Sequence, residues 1–142
     1  MVAETLKPHY VKFIEQFRSS QDTLRVYDNG KLIFTSTRKR LIPIIDYINA
    51  FAPTLNPVFI LDRIVGNAAA LLLKIANCGE VYAKVGSKLA VSSLCRMDIC
   101  FTFDKIVPHI INQNGDGTCP MEQLSMGKTP EEFWMLLCSR DL

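Results

Sequence analysis

The sequence predicts a three-layer α/β/α domain built on a mixed sheet, and three observations predict it. The 142 residues are 49% hydrophobic and 21% charged, the composition of one soluble globular domain. A chain near this size buries roughly 68–70% of its unfolded surface, so it needs neither disulfides nor a structural metal to hold a core. Asp28-Asn29-Gly30 stands between two alternating segments and signals an antiparallel hairpin, because a type I′ turn requires positive φ at both central residues. Residues 80–103 read strand, helix, strand, at the spacing of a parallel βαβ unit. Residues 1–142 are therefore expected to form a single domain.

Each element has its own signal. Tyr10, Phe13, Ile14 and Phe17 recur at i, i+3, i+4 and i+7, the apolar face of an opening helix that ends at Ser19-Ser20-Gln21-Asp22. Leu24 and Val26, then Leu32 and Phe34, alternate as the two hairpin strands. Pro43 suits a helix first turn, Ile44, Ile45, Ile48 and Phe51 give that helix its face, and Pro53 and Pro57 punctuate its end. Val58 to Val65 is β-branched and apolar apart from Asp62-Arg63, which predicts a strand with a conspicuous carboxylate. Ala68 to Ala76 is a small-residue helix, opened by Gly66-Asn67 and expected to close near Gly79. Glu80 to Val85 is a strand, Ser87 an N-cap, Lys88 to Arg96 a helix and Ile99 to Phe103 a strand. Asn112 to Lys128, with Gly115, Gly117, Pro120 and Gly127, reads as a long ordered loop with one helical turn around Met121. Thr129-Pro130-Glu131-Glu132 starts the last helix, with Thr as cap, Pro at N1 and acids in the first turn.

Charge and cysteine content exclude several function classes. Sixteen Lys and Arg against fourteen Asp and Glu leave +2, without the concentrated cationic face that binding to a phosphate backbone needs. Arg38-Lys39-Arg40 is too short to supply it. Ala68 to Ala76 is interrupted by Lys74 and falls short of the ~20 residues that span a bilayer. Glu4, Lys7, Lys12 and Glu15 break up the N-terminus, unlike the apolar core of a secretory signal, so a cytoplasmic protein is expected. Cys78, Cys95, Cys100, Cys119 and Cys138 are odd in number and unevenly spaced, as reduced thiols are. They make no C-x-x-C pair, and the two histidines make no H-x-x-x-H pair, so neither a metal nor another cofactor is expected.

Two sets of residues could carry chemistry. Cys119, with Glu122 three residues on and His109 ten residues back, could be a nucleophile beside a base; equally, Cys119 and Met121 could plug the loop onto the core while Glu122 caps a turn. Gly66-Asn67 and Gly86-Ser87 each open a helix after a strand, aiming backbone N–H groups and a positive dipole end at one edge of the sheet. A crevice there would be framed by Asp62, Gly66, Asn67, Gly86 and Ser87, with Asn112 to Glu122 as its lid or wall; the plain alternative is that Ser87 caps its own helix.

Three phrases carry a resemblance. They are Asp62-Arg63-Ile64-Val65-Gly66-Asn67-Ala68-Ala69-Ala70; Val81-Tyr82-Ala83 running to Ser87 and Ala90; and Val107-Pro108, Ile110-Ile111-Asn112 and Cys119-Pro120-Met121-Glu122. With the order of elements over about residues 23–137, the chain resembles a family catalogued as a domain of unknown function within the cytidine deaminase-like superfamily. The resemblance implies a mixed sheet in order 2-1-3-4-5. In catalytic members, H/C-x-E and P-C-x-x-C motifs open two helices and hold zinc. The matching positions here are Gly66-Asn67-Ala68 and Gly86-Ser87 to Ala90, which supply no such ligands, and Cys119-Pro120 reverses the Pro-Cys order.

The expected function is thus a zinc-free deaminase-like domain that binds a nucleotide-like or phosphorylated small molecule, with Asp62, Gly66, Asn67, Ser87 and Asn112 as ligand contacts. The alternative is an enzyme using Cys119 with Glu122 or Asp62 in a thiol or acid-base reaction. A small-molecule ligand and self-association are the partners in view. A closed crevice would point instead to a structural or interaction role.

Overall fold

Local signals place most elements of the computed structural model, which describes residues 7–52, 54–111, 115, 117 and 119–139. In chain order they are α1 (Pro8–Arg18), β1 (Leu24–Asp28), β2 (Lys31–Ser36), α2 (Ile42–Phe51), β3 (Val58–Val65), α3 (Asn67–Ile75), β4 (Cys78–Ser87), α4 (Lys88–Arg96), β5 (Cys100–Val107), α5 (Pro120–Ser125) and α6 (Pro130–Cys138). Asn29 and Gly30 have φ of 50° and 81°, the type I′ geometry that Asn-Gly predicts, and β1 and β2 pair antiparallel around them. Thr129 and Glu132 form a reciprocal capping box at α6, with Pro130 in its first turn.

The sheet is mixed, in order β2-β1-β3-β4-β5. β1 runs antiparallel to β2 and β3, while β3, β4 and β5 are parallel, Leu61 opposite Tyr82 and Tyr82 opposite Thr102. Both crossover helices lie on one face, as right-handed connections require. The larger core is on that face. It joins Ile44, Tyr47 and Ile48 of α2, Ala68 to Leu73 of α3, Ala90 and Leu94 of α4, and Phe133 and Leu137 of α6 to Ile60, Val81 and Ala83 of the sheet. On the other face α1 buries Ile14 and Phe17 against Tyr27, Phe59, Leu61 and Tyr82, with Tyr10 stacked on Phe59 and Phe13 on Tyr27.

Three boundaries differ from the sequence reading. Asn77, at φ 58°, closes α3, and Gly79 instead lies inside β4, where an added Cβ would meet Pro57 Cβ at 2.8 Å. The turn expected around Met121 is a six-residue helix, α5. β4 and β5 extend beyond residues 80–85 and 99–103, because parallel pairing continues to Ser87 opposite Val107. Pro53 lies outside the described residues.

Arg63 ties α1 to the sheet. Its guanidinium donates to the carbonyls of Phe17 and Ser20 at 2.9 and 2.8 Å and of Asp22 at 2.9 Å. It also lies 4.1 Å over the Phe17 ring. A cation at the C-terminal end of α1 adds a donor to the Phe17 carbonyl, which also accepts the Ser20 N–H, and meets the negative end of the helix dipole.

Replacing Arg63 by Ala should therefore cost about 2–4 kcal/mol in urea denaturation, with Arg63→Lys recovering only part, since an ammonium cannot reproduce the planar fork. A loss below about 0.5 kcal/mol would show that water replaces the guanidinium.

Candidate functional site

α3 is buried along its first seven residues, Asn67 to Leu73. Its first N–H groups cannot reach water, and Gly66, the N-cap, has no side chain to offer. The acceptor comes from 55 residues away. Glu122 of α5 receives the Asn67 N–H on Oε2 and the Ala68 N–H on Oε1, both at 2.8 Å. The carboxylate is itself buried, 6% exposed, and a Cβ on Gly66 would stand 2.5 Å from it. Only glycine at residue 66 leaves room for the contact.

A buried polar network continues from there. Asn67 Nδ2 donates to Ser125 Oγ at 2.9 Å, the Ser93 hydroxyl donates to Asn67 Oδ1, and Ser125 Oγ donates to the Glu122 carbonyl at 2.7 Å. Asn67, Ser93, Glu122 and Ser125 are all buried, so the cluster locks α3, α4 and α5 together.

At the second helix start, Ser87 is 1% exposed and its Oγ accepts the Ala90 N–H at 3.0 Å. Gly86 lies under the Phe103 ring, where an added Cβ would sit 2.1 Å from a ring carbon. Of the expected site residues, Gly66, Asn67 and Glu122 are in direct contact, and Ser87 stands at the start of the neighbouring helix. Asn112 lies outside the described residues.

Asp62 is placed differently. It pairs across the sheet with Leu24 and Ala83, which belong to the larger core, so it stands on the face covered by α2 to α6. It precedes Gly66 by four residues, about 13 Å of strand. The Arg63 N–H donates to its Oδ1 at 2.7 Å. Burial raises the carboxyl pKa to about 7, a rise partly offset by the Arg63 and Ile64 N–H groups and the Arg63 charge. Among the described residues, no side chain bonds to it.

Cys119 is the N-cap of α5 and partly buried; its N–H donates to the Ile110 carbonyl at 3.1 Å, and its own carbonyl accepts the Glu122 N–H at 3.0 Å. The Glu122 carboxylate is directed away from it, onto α3. His109 is exposed on a bend after β5. None of the five cysteines forms a disulfide. The residues do not fit the zinc centre that the resemblance implies for catalytic relatives: the α3 start is filled by a carboxylate on backbone N–H groups, and among the described residues no three His, Cys, Asp or Glu side chains converge. Among those residues, no helix is long and apolar enough to cross a membrane.

Sequence reasoning flagged Glu122 as a base or a local cap and missed its role on α3. Its position three residues after Cys119 carries no sign of a partner 55 residues earlier; the one available signal was a buried-helix start, Gly66-Asn67, without a capping side chain.

Residues 12–138 match the model of a protein family described as a domain of unknown function (DUF1893). No curated protein matches the sequence. Among solved structures, the crystal structure of a DUF1893 family protein (TM1506) from Thermotoga maritima is similar over 98% of this chain and 94% of its own, with 25% sequence identity and a TM-score of 0.84.

Glu122→Ala should cost about 2–4 kcal/mol in chemical denaturation, because it leaves two N–H groups buried without an acceptor. Gly66→Ala should also destabilise, and the double variant should fall short of the sum by about 1 kcal/mol or more, since both changes disrupt one contact. Strict additivity would separate Gly66 from the carboxylate.

Asp62 gives a second outcome. Its folded pKa is raised, so its contribution to stability is fully present below the ordinary carboxylate pKa of 3.8 and is lost as pH rises through about 7. Asp62→Asn should therefore match the wild type near pH 4 and exceed it by a few kcal/mol at pH 8. Equal pH profiles for the two proteins would refute the raised pKa.

Proposed function

We propose that this chain, which belongs to the DUF1893 family, is a zinc-free deaminase-like domain that binds a nucleotide-like small molecule through Asp62, at the carboxyl half of the parallel strands. The observation that carries the reading is the Asp62 carboxyl, which stands on the helix-covered face of β3 with no side-chain partner among the described residues and whose pKa is raised by burial. Such a carboxyl accepts from an N–H through one oxygen and donates to a ring nitrogen through the other, the pattern that the edge of a nucleobase offers. A phosphate is the weaker recognition element. The α3 donors that would cradle it are held by Glu122, and Ser87 is engaged by its own helix. In this reading Gly66, Asn67 and Ser87 shape the wall of the site, and cysteines outside any disulfide suit a reducing, cytoplasmic setting.

The test is thermal stabilisation by cytidine, adenosine, their 5′-monophosphates and inorganic phosphate. A nucleoside at about 100 times its Kd should add about 2.7 kcal/mol, its 5′-phosphate should change this little, and Asp62→Asn should abolish it. Stabilisation by inorganic phosphate alone that survives Asp62→Asn would overturn the reading, as would no response to any nucleoside.

A further inference from the structure

Among the described residues, two side-chain oxygens are buried without a hydrogen-bond partner, Asp28 Oδ1 and Tyr47 Oη. A polar atom left in that state costs free energy, and folded proteins meet it with another protein group or with an ordered water.

The two oxygens belong to one region, at the amino end of the parallel strands and away from Asp62. Asp28 is the last residue of β1, next to Tyr27, which pairs with Phe59 near the start of β3. It follows Val26 by two positions and so stands on the face of the larger core, which Tyr47 joins from α2. Phe34, opposite Val26 on β2, meets the Tyr47 ring edge-on at 5.5 Å, and Phe51 stacks on that ring at 5.3 Å. Tyr47 is 0% exposed, so its hydroxyl has no route to bulk water. Burial, followed by the nearby Asp28 carboxylate and Cys78 thiol, pushes that hydroxyl up to about 12, and it keeps its proton at neutral pH.

These properties fix the chemistry that fits between them. The phenol has a proton to give, the carboxylate only accepts, and the two are not bonded to each other. A bridging group must therefore accept from Tyr47 and donate to Asp28. A cation cannot accept and an anion cannot donate, whereas water does both. Cys78 does not supply the donor, because its Sγ donates to the Glu80 carbonyl at 3.1 Å.

We propose that Asp28 and Tyr47 are the two ends of a buried hydration site, in which a bound water accepts from the Tyr47 hydroxyl and donates to Asp28 Oδ1. The water joins the end of the β1–β2 hairpin to α2 and completes the hydrogen bonding of both side chains.

A crystal structure of the full chain at about 1.5 Å, with two variants, tests this. The wild type should show a water within about 3.2 Å of both oxygens. In Tyr47→Phe, which keeps the ring and removes the hydroxyl, that water should be gone from its position. The effects of Tyr47→Phe and Asp28→Ala on the unfolding equilibrium constant should fail to multiply by about tenfold in the double variant, since either change alone breaks the bridge. A wild-type map with no water between the oxygens, a direct bond from Tyr47 to Asp28, a water unmoved in Tyr47→Phe, or effects that multiply without coupling would each overturn the proposal.

Discussion

A helix that starts inside a protein must find acceptors for its first N–H groups, and in this chain that requirement organises the carboxyl end of the sheet. α3 is buried from Asn67 to Leu73, and its N-cap is a glycine. Water is excluded and no neighbouring side chain is available, so the acceptor must come from elsewhere in the fold. Glu122 provides it with two 2.8 Å hydrogen bonds. A negative group at this end also meets the positive end of the helix dipole. The position of α5, the need for glycine at residue 66 and the Asn67–Ser93–Ser125 network all follow from that contact.

The same contact bears on chemistry. A helix start facing the edge of a parallel sheet is a place where α/β proteins hold phosphates or metal ligands, and here an internal carboxylate occupies it. Glu122 is thereby turned away from Cys119, and Ser87 is turned inward onto Ala90. Asp62 is left as the carboxyl whose contacts are backbone N–H groups of its own strand, and burial shifts its pKa into the neutral range.

Neighbouring residues of β3 act on opposite faces. Asp62 stands with the larger core, while Arg63 reaches across the other face to the carbonyls that end α1. Beside that helix end, Arg18 donates to the Tyr82 hydroxyl and to Asp104, joining α1 to β4 and β5. α1 is thus held by polar contacts at its C-terminal end as well as by the Phe17 and Ile14 packing beneath it.

What the sequence by itself determined is what depends on residues within about four positions of one another. Asn29-Gly30 specifies its turn because both residues tolerate positive φ. Thr129 with Glu132, and Ser87 with Ala90, cap their helices because N-cap and N3 are always within reach. The strand-helix-strand spacing of residues 80–103 forces a parallel pair, and Asp62 is conspicuous in an apolar strand whatever surrounds it. Tertiary structure alone decided the partners of Glu122, Arg63 and Asp104, which lie 55, 46 and 86 residues from Asn67, Phe17 and Arg18. It also decided that Gly66 and Gly86 are required by a carboxylate and a ring approaching from other elements. A carboxylate or a guanidinium satisfies whichever buried backbone group the fold brings to it, and that choice is fixed by how helices and sheet close on one another, a geometry that no local pattern encodes.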